Sequence, residues 1–163
     1  MSSAMSSIEQ EIGNLLRRKG LTLGLVESAT GGLISHLITN VPGSSDYYKG
    51  SITAYSIETK IKVVGVKKTT VKQYGVVSHQ VAEEMAEGGR KVLATDICLA
   101  DTGIAGPTGA TPGKPVGLFY LGLSHKGGTF SRKHNFQGSR EQNKRDAAKA
   151  VLDWVREYLI SLK

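Results

Sequence analysis

The sequence predicts an α/β fold, a three-layer α/β/α sandwich around a mixed, mostly parallel sheet. Segments with helical spacing of apolar residues alternate with short apolar runs through most of the chain, which is typical of strand–helix–strand crossovers. Near the C-terminus two strand-like segments, residues 116–124 and 128–136, flank a glycine-containing turn, which predicts an antiparallel hairpin. The sheet is therefore expected to be parallel through the crossovers and antiparallel at the hairpin.

The composition describes a globular protein with a basic surface. A chain of 163 residues, with 39% hydrophobic and 21% charged residues, has the length and balance of one domain with a proper core. The net charge of +7 comes from 21 basic and 14 acidic residues. Because the basic residues are scattered rather than grouped in a run, they favour a small anionic ligand over a nucleic acid.

The single cysteine and the lengths of the apolar runs exclude further classes of protein. Cys98 lies in an apolar segment, so a disulfide framework and a cysteine-rich metal site are excluded. No run of about 18 apolar residues is present, and residues 1–7 are too polar for a signal peptide. We expect a cytoplasmic protein that does not bind the membrane.

In the first half of the chain, each element is predicted from apolar spacing and from residues that start or stop helices. Ser6 or Ser7 begins the first helix, and Gly20 ends it. The elements are a helix at 6–19, a strand near 21–27, a helix from 33 to about 40, a loop at 41–45, a strand at 47–55 and a helix at 57–64.

The second half continues the alternation until the hairpin. Ser78 is a capping residue for a helix that ends near residue 93, with Val81, Met85, Val92 and Leu93 facing inward. The elements are a short helix at 69–74, this capped helix, a strand at 96–101, a glycine-rich turn at 102–107, a loop at 108–114, the hairpin and a final helix at about 139–162.

The segment Val-Glu-Ser-Ala-Thr-Gly-Gly at residues 26–32 is the most informative motif. It places Ser28 between a strand and a helix, where its hydroxyl is held clear of the core. The following glycines let backbone approach a ligand, and their N–H groups open onto a helix N-terminus that favours anions and oxyanions. This suits nucleophilic acyl chemistry or phosphate binding. The alternative is that Ser28 or Thr30 only caps the helix and that the glycines make a tight turn.

The glycine-rich turn at 102–107 is expected to lie beside Ser28. Both segments follow predicted strands, and in α/β sheets ligands bind outside the carboxyl ends of the strands. A serine nucleophile also needs a base. The spacing of the four histidines, expected to be exposed, suggests no Ser-His-Asp arrangement; they are His36, His79, His125 and His134.

Lysine is the other candidate base. Tyr55 ends a predicted strand, and Lys60 lies one turn into the next helix, so both can face one side of the sheet. Burial lowers the pKa of a lysine, because it disfavours the charged form, and such a lysine can take a proton from serine. The alternative is that Lys60 is an ordinary solvated helix residue.

Several motifs taken together resemble the CinA C-terminal family over about residues 7–160. They are Glu27-Ser28-Ala29-Thr30-Gly31-Gly32, Pro42-Gly43-Ser44-Ser45, Gly50 with Tyr55-Ser56-x-x-x-Lys60, Gly65-Val66, Gly75-Val76-Val77-Ser78, Met85-Ala86-Glu87-Gly88, Thr102-Gly103-Ile104-Ala105-Gly106-Pro107, Lys114-Pro115-Val116-Gly117 and Phe136-x-Gly138-x-Arg140. Each motif is weak alone, whereas their order and spacing are jointly specific.

The resemblance implies a nicotinamide-nucleotide amidase, which hydrolyses nicotinamide mononucleotide (NMN) to nicotinic acid mononucleotide and ammonia. It implies the α/β/α fold, no metal or cofactor, and catalysis by a serine, a lysine and a tyrosine, which map onto Ser28, Lys60 and Tyr55. Residues 1–163 are expected to form one stand-alone amidase domain that assembles into dimers or larger homo-oligomers. The chain departs from the family pattern at Ala29, where cysteine is usual, and at Ser139 and Lys144.

In this interpretation the backbone N–H groups of Thr30, Gly31 and Gly32 hold the oxyanion. The phosphate of the pyridine nucleotide is expected to bind Arg140 and two loops, at residues Gly43, Ser44, Ser45, Thr102, Gly103 and Gly106. The alternative for Arg140 is a surface ion pair with an acidic residue such as Glu141. Two other functions stay open, a catalytically silent domain that binds a nucleotide or a protein, and a basic nucleic-acid-binding module.

Overall fold

The structure is a computed structural model that describes residues 5–163. Its helices and strands follow one another as α1 (Ile8–Lys19), β1 (Leu23–Glu27), α2 (Leu33–Thr39), β2 (Tyr48–Thr53), α3 (Ile57–Val64), α4 (Lys68–Tyr74), α5 (His79–Leu93), β3 (Ile97–Gly103), β4 (Leu118–His125), β5 (Gly128–Asn135) and α6 (Arg140–Ser161). A short 3-10 turn at Ser44–Asp46 precedes β2. No described helix is long and apolar enough to cross a membrane.

The five strands form one sheet in the order β2-β1-β3-β4-β5. Strands β2, β1 and β3 run parallel, and the pairs β3–β4 and β4–β5 are antiparallel. The predicted mixed sheet is confirmed, with the parallel part at the crossovers and the antiparallel part at the hairpin.

Two cores lie on opposite faces of this sheet and make the three layers. Leu23 and Leu25 of β1 pack in a core with residues of α1, α2 and α6. Val26, which points to the other face, packs with residues of α3 and α5. The strand is buried along its whole length, as expected for a parallel strand covered on both sides.

Helix ends follow the capping residues that the sequence shows. The Ser7 hydroxyl accepts a hydrogen bond from the backbone N–H of Gln10, and the Gln10 side-chain oxygen accepts one from the backbone N–H of Ser7. Gly20 ends α1 in the left-handed conformation at φ 64°. Ser78 begins α5 as predicted. The inward position assigned to Val92 is wrong, since this side chain is 55% exposed. At this last turn of α5 it is Leu93 that reaches the sheet, since a Cβ placed on Gly24 of β1 would lie 2.8 Å from Leu93 Cδ1.

Strand β3 continues two residues beyond its predicted end. Thr102 and Gly103 pair with Tyr120 and Phe119 of β4, so the segment predicted as a turn begins as strand. A side chain at position 103 would overlap the ring of Phe119, which explains why a glycine is needed there.

The connections between parallel strands create a crevice at one edge of the sheet. Helix α2 joins β1 to β2 on one face, and α3, α4 and α5 join β2 to β3 on the other. The connection that leaves β1 and the connection that enters β3 thus lie on opposite faces of the sheet. In α/β proteins, ligands bind at the carboxyl ends of two such neighbouring strands. Close contact of α3 with α5 depends on Gly88, because a methyl group there would overlap the carbonyl oxygen of Val64.

Candidate active site

Ser28 directly follows β1 and opens into a cavity of about 290 Å³ at this crevice. The residues with polar groups that line the cavity include Ser28, Tyr55, Lys60, Thr102, Thr108 and Arg140. The structure therefore brings together the predicted nucleophile, the predicted base and one of the two glycine-rich loops.

Lys60 reaches the Ser28 hydroxyl from α3. Its side chain is only 1% exposed, and its Nζ lies 2.8 Å from Ser28 Oγ, 2.7 Å from the carbonyl oxygen of Ala54 and 3.0 Å from that of Tyr55. A neutral amine has two N–H donors and one lone pair. The two carbonyls take the two donors, so the lone pair is left facing the serine hydroxyl. This is the arrangement that a general base needs.

The electrostatic environment of Lys60 makes its neutral form more accessible than that of a solvated lysine. Burial lowers the pKa of its amino group to about 8, and the negative charge of Asp101 opposes that change. A solvated Lys60 is thus excluded by the structure. A base with a pKa near 8 is partly neutral at physiological pH.

Glu27, rather than Ser28 or Thr30, caps helix α2. One carboxylate oxygen accepts from the backbone N–H of Ile34 at 2.9 Å, and the other accepts from that of Ser35 at 2.9 Å. The alternative capping role for Ser28 is therefore wrong, and its hydroxyl stays available to Lys60.

The three backbone N–H groups predicted as oxyanion donors are already engaged. That of Thr30 donates to Asp101 at 3.2 Å, that of Gly31 to the Ser28 carbonyl at 3.0 Å, and that of Gly32 to Glu27 at 3.2 Å. The structure therefore contradicts this part of the prediction. The N–H of Ala29, in contrast, has no hydrogen-bond acceptor within residues 5–163. Ala29 also lines the cavity. The residue after a nucleophilic serine is a frequent oxyanion donor.

Asp101 of β3 forms hydrogen bonds with the turn that carries Ser28. The sequence analysis did not predict this role for Asp101. It is fully buried, and its carboxylate accepts from the backbone N–H of Ser28 at 3.0 Å and from the Thr30 hydroxyl. Burial raises the pKa of Asp101 to about 6, while the hydrogen bonds from Thr30 and Ser28 act to lower it.

Tyr55 and Arg140 form the rim of the cavity. Arg140 donates to the carbonyl oxygen of Gly106 at 2.8 Å and lies 3.3 Å from the Tyr55 hydroxyl. Tyr55 is 62% exposed and holds Lys60 through its backbone carbonyl, and its phenol faces the space that a substrate would occupy. The alternative ion pair of Arg140 with Glu141 does not form, since Glu141 pairs with Arg145.

The loop at Gly43, Ser44 and Ser45 lies away from this cavity. It precedes β2, whose first residue Tyr48 lies beside Leu23, the first residue of β1. Because the two strands are parallel, the loop is at the opposite edge of the sheet from Ser28, where Arg17 donates to the Gly43 carbonyl at 2.9 Å. The prediction that this loop binds the substrate of the same chain is wrong.

The second loop is fixed to α6. Asn143, fully buried, donates to the Ala105 carbonyl at 3.0 Å and accepts from the Gly138 N–H at 2.9 Å. Thr102 lines the cavity, is buried, and donates its hydroxyl proton to the Val76 carbonyl at 2.9 Å. Gly103 lines the cavity, and Gly106 supplies the carbonyl for Arg140.

Within residues 5–163, none of the four histidines lines the cavity. His36 and His79 are exposed as expected, whereas His125 and His134 are half-buried and stack on Tyr158 and Phe136. In the same part of the chain, no three His, Cys, Asp or Glu side chains are grouped so that they could hold a metal ion.

Comparison with known proteins decides the family. The profile described as the CinA C-terminal domain matches residues 5–159. The chain belongs to the CinA C-terminal domain family. The resemblance inferred from the sequence motifs is thereby confirmed.

Relatives of this CinA domain are longer proteins. A CinA-like protein of Kosmotoga olearia is 49% identical over 156 residues, and a putative competence-damage inducible protein of Caldicellulosiruptor saccharolyticus is 45% identical over 155. These matches cover 96% and 95% of the present chain but 38% of each relative. The chain therefore spans less than two fifths of the length of these relatives.

Solved structures share the fold of this CinA domain. The competence damage-inducible protein A of Klebsiella pneumoniae superposes with a TM-score of 0.92 at 26% identity, covering 96% of this chain and 97% of that chain. The competence/damage inducible protein of Agrobacterium tumefaciens gives 0.89 at 29% identity, covering 99% and 100%. The α/β/α architecture is thus confirmed.

Proposed function

We propose that this CinA domain is an amidohydrolase that converts NMN to nicotinic acid mononucleotide and ammonia. The proposal is carried by the contact between the buried Lys60 amine and the Ser28 hydroxyl, 2.8 Å apart, at the floor of the cavity. The pyridine nucleotide is assigned from the family resemblance and from the positive side chains around the cavity.

In the first step, neutral Lys60 accepts the proton of Ser28 as Oγ attacks the carboxamide carbon. The carbonyl oxygen becomes an oxyanion, to which the Ala29 N–H donates. Lys60 is then protonated and donates to both carbonyls and to the serine oxygen.

In the second step, the C–N bond breaks and the proton held by Lys60 passes to the departing nitrogen, which leaves as ammonia. The acyl group stays on Ser28 Oγ. Water then attacks this ester while Lys60 accepts a proton from it, and the proton returns to Ser28 as the acid is released. One amide and one water thus give one acid and one ammonia.

The cavity rim supplies positive charge for the phosphate of the substrate. Arg140 lies at the N-terminus of α6, where its guanidinium can bind two phosphate oxygens. Lys144, one turn further, is close as well, since a Cβ placed on Gly31 would lie 3.6 Å from Lys144 Nζ. The lysine that departs from the family pattern therefore keeps a cation beside the site.

The experiment that tests the proposal is to incubate the pure protein with NMN and measure ammonia, with Ser28→Ala as the matched control. We expect the wild-type chain to release ammonia and the Ser28→Ala variant to release none. Binding of NMN without ammonia release would instead support the catalytically silent alternative. Affinity for nucleic acid that falls steeply with salt would support the basic binding module.

The expectations of a homo-oligomer and of a cytoplasmic location remain predictions. Light scattering of the purified chain measures its mass directly, and a dimer or larger assembly is the expected result.

A further inference from the structure

Asp101 makes an unusual set of contacts below the Ser28 turn. One of its oxygens accepts from the Ser28 N–H at 3.0 Å and contacts the Thr30 hydroxyl, and the other accepts from the Thr30 N–H at 3.2 Å. It thus binds the backbone on both sides of Ala29, although it is fully buried and comes from the neighbouring strand β3.

The Thr30 hydroxyl joins Asp101 to a second buried carboxylate. Thr30 Oγ1 lies 2.7 Å from Glu27 Oε1 and also contacts Asp101 Oδ1. A hydroxyl has one proton and can donate it to only one of these oxygens, so the other contact needs a proton from a carboxyl group. When the Thr30 hydroxyl donates to Glu27, its contact with Asp101 is satisfied by a proton on the Asp101 carboxyl group.

We propose that Asp101 is a positioning residue that fixes the Ser28 turn and, by gaining or losing a proton, sets how readily Lys60 releases its own proton. The proposal rests on the proposed roles of Ser28 and Lys60. Asp101 acts through these two residues and does not contact the substrate, because Ser28 and Ala29 lie between it and the cavity.

The charge of Asp101 affects Lys60 through a short path. Asp101 contacts the Ser28 N–H, and the Ser28 hydroxyl contacts Lys60 Nζ. A charged Asp101 stabilises the ammonium form of Lys60, and this raises the pKa of Lys60 against the larger effect of burial. A protonated Asp101 withdraws that support, so Lys60 loses its proton more readily.

Within residues 5–163, three other charged side chains lie around Asp101 and Lys60. Glu27 faces Asp101 from the end of β1 across Thr30, and Arg140 and Lys144 of α6 lie at the cavity rim and beside Gly31. Asp101 is the carboxylate whose charge acts on Lys60. Glu58 is the control, because it lies on the same helix as Lys60 but is 70% exposed and pairs with Lys62.

The test measures the titration of Lys60 by NMR of its ε-methylene group in wild-type protein, Asp101→Asn and Glu58→Gln. We expect Asp101→Asn to lower the midpoint by about one pH unit and Glu58→Gln to change it much less. An unchanged midpoint in Asp101→Asn, or an equal change in both variants, would overturn the proposal. The measurement uses no substrate, so it is independent of whether the chain hydrolyses NMN.

A second measurement needs no variant and covers the case in which Asp101→Asn does not fold. The backbone amide resonances of Ser28 and Thr30 in the wild-type protein are followed with pH. Because both N–H groups donate to Asp101, they are expected to move together with a midpoint at the pKa of Asp101, about 6. Amide resonances that stay constant through this range would refute the role of Asp101.

Discussion

The amino group of Lys60 lies 2.8 Å from the hydroxyl of Ser28, although the two residues are 32 positions apart and belong to different layers of the sandwich. Ser28 directly follows a central strand, and Lys60 comes from a helix packed on one face of the sheet. The site is therefore assembled by tertiary packing, and its chemistry depends on how that helix is held.

Ser28→Ala should abolish amide hydrolysis, lowering kcat by a factor of about 10⁴ or more, because a nucleophile has no substitute at this position. The thermal midpoint should change by only a few degrees, since Asp101 holds the turn through the backbone N–H of residue 28. Turnover and a melting curve check both statements. Near-normal turnover in the variant would contradict the assignment of the nucleophile.

The pH dependence of kcat/KM should follow the ionisation of Lys60. The base acts when neutral, so the rate should rise with pH through the pKa of Lys60, about 8, and level off above it. Lys60→Arg should be nearly as inactive as Lys60→Ala, because a guanidinium stays charged and cannot accept the proton. A pH–rate profile and two variants provide the measurement.

Controls for the lysine mechanism are the four histidines and a chelator. Single substitutions of His36, His79, His125 and His134 should leave most of the activity, because none of them lines the cavity. A chelator should have no effect. If Lys60→Arg retained most activity, or if a chelator removed it reversibly, another base or a metal would have to be sought.

Arg140→Ala should weaken binding of NMN far more than binding of nicotinamide riboside, which lacks the phosphate. A charge-assisted hydrogen bond is worth roughly 1.5–3 kcal/mol, so a loss of about ten-fold or more is expected for the nucleotide. Arg145→Ala is the matched control, because Arg145 follows on the same helix but pairs with Glu141 and is 64% exposed. Equal losses for both ligands would mean that Arg140 is structural.

Gly88→Ala should reduce both stability and activity. Alanine normally stabilises a helix relative to glycine by about 0.5–1 kcal/mol, but a methyl group here overlaps the Val64 carbonyl and forces α5 away from α3. Because α3 carries Lys60, the distance from Lys60 to Ser28 should change as well. Glu87→Ala, an exposed neighbour in an i,i+4 ion pair, is the control and should change neither. A Gly88→Ala variant more stable than wild type would show that this contact is not close in solution.

Most elements of the fold could be predicted because their signals are local. Capping residues such as Ser7 and Ser78 and the left-handed Gly20 lie next to the helices that they limit. Lys60 could be selected because its spacing from Tyr55, little more than one helical turn, coincides with a motif of the CinA family.

The site was predicted less completely, because its decisive contacts are long-range. Asp101 binds the backbone of Ser28 from 73 residues away, and nothing near Asp101 in the sequence marks it as a partner of that turn. The oxyanion donors were wrongly assigned for a related reason. Glu27 and Asp101 already occupy the N–H groups of Gly32 and Thr30, and only the folded backbone shows that the Ala29 N–H has no acceptor within residues 5–163.

The loop at Gly43, Ser44 and Ser45 shows how topology overrides composition. Glycine and serine are typical of phosphate loops. When two neighbouring strands are parallel, however, the loop that enters one strand and the loop that leaves the other lie at opposite ends of the strands. The register of Leu23 with Tyr48 therefore removes this loop from the site of its own chain.

The docking of α3 also makes catalysis a sensitive reporter of local opening. The helix carries two half-exposed apolar side chains, Ile57 and Val63, so part of its apolar surface contributes little to holding it in place. An excursion that lifts α3 off α5 would withdraw the base while the opposite core of α1, α2 and α6 stays closed. Catalysis would then be lost at denaturant concentrations where circular dichroism still reports a native sheet. The difference between the midpoints of the two transitions would measure the free energy that holds α3 against α5.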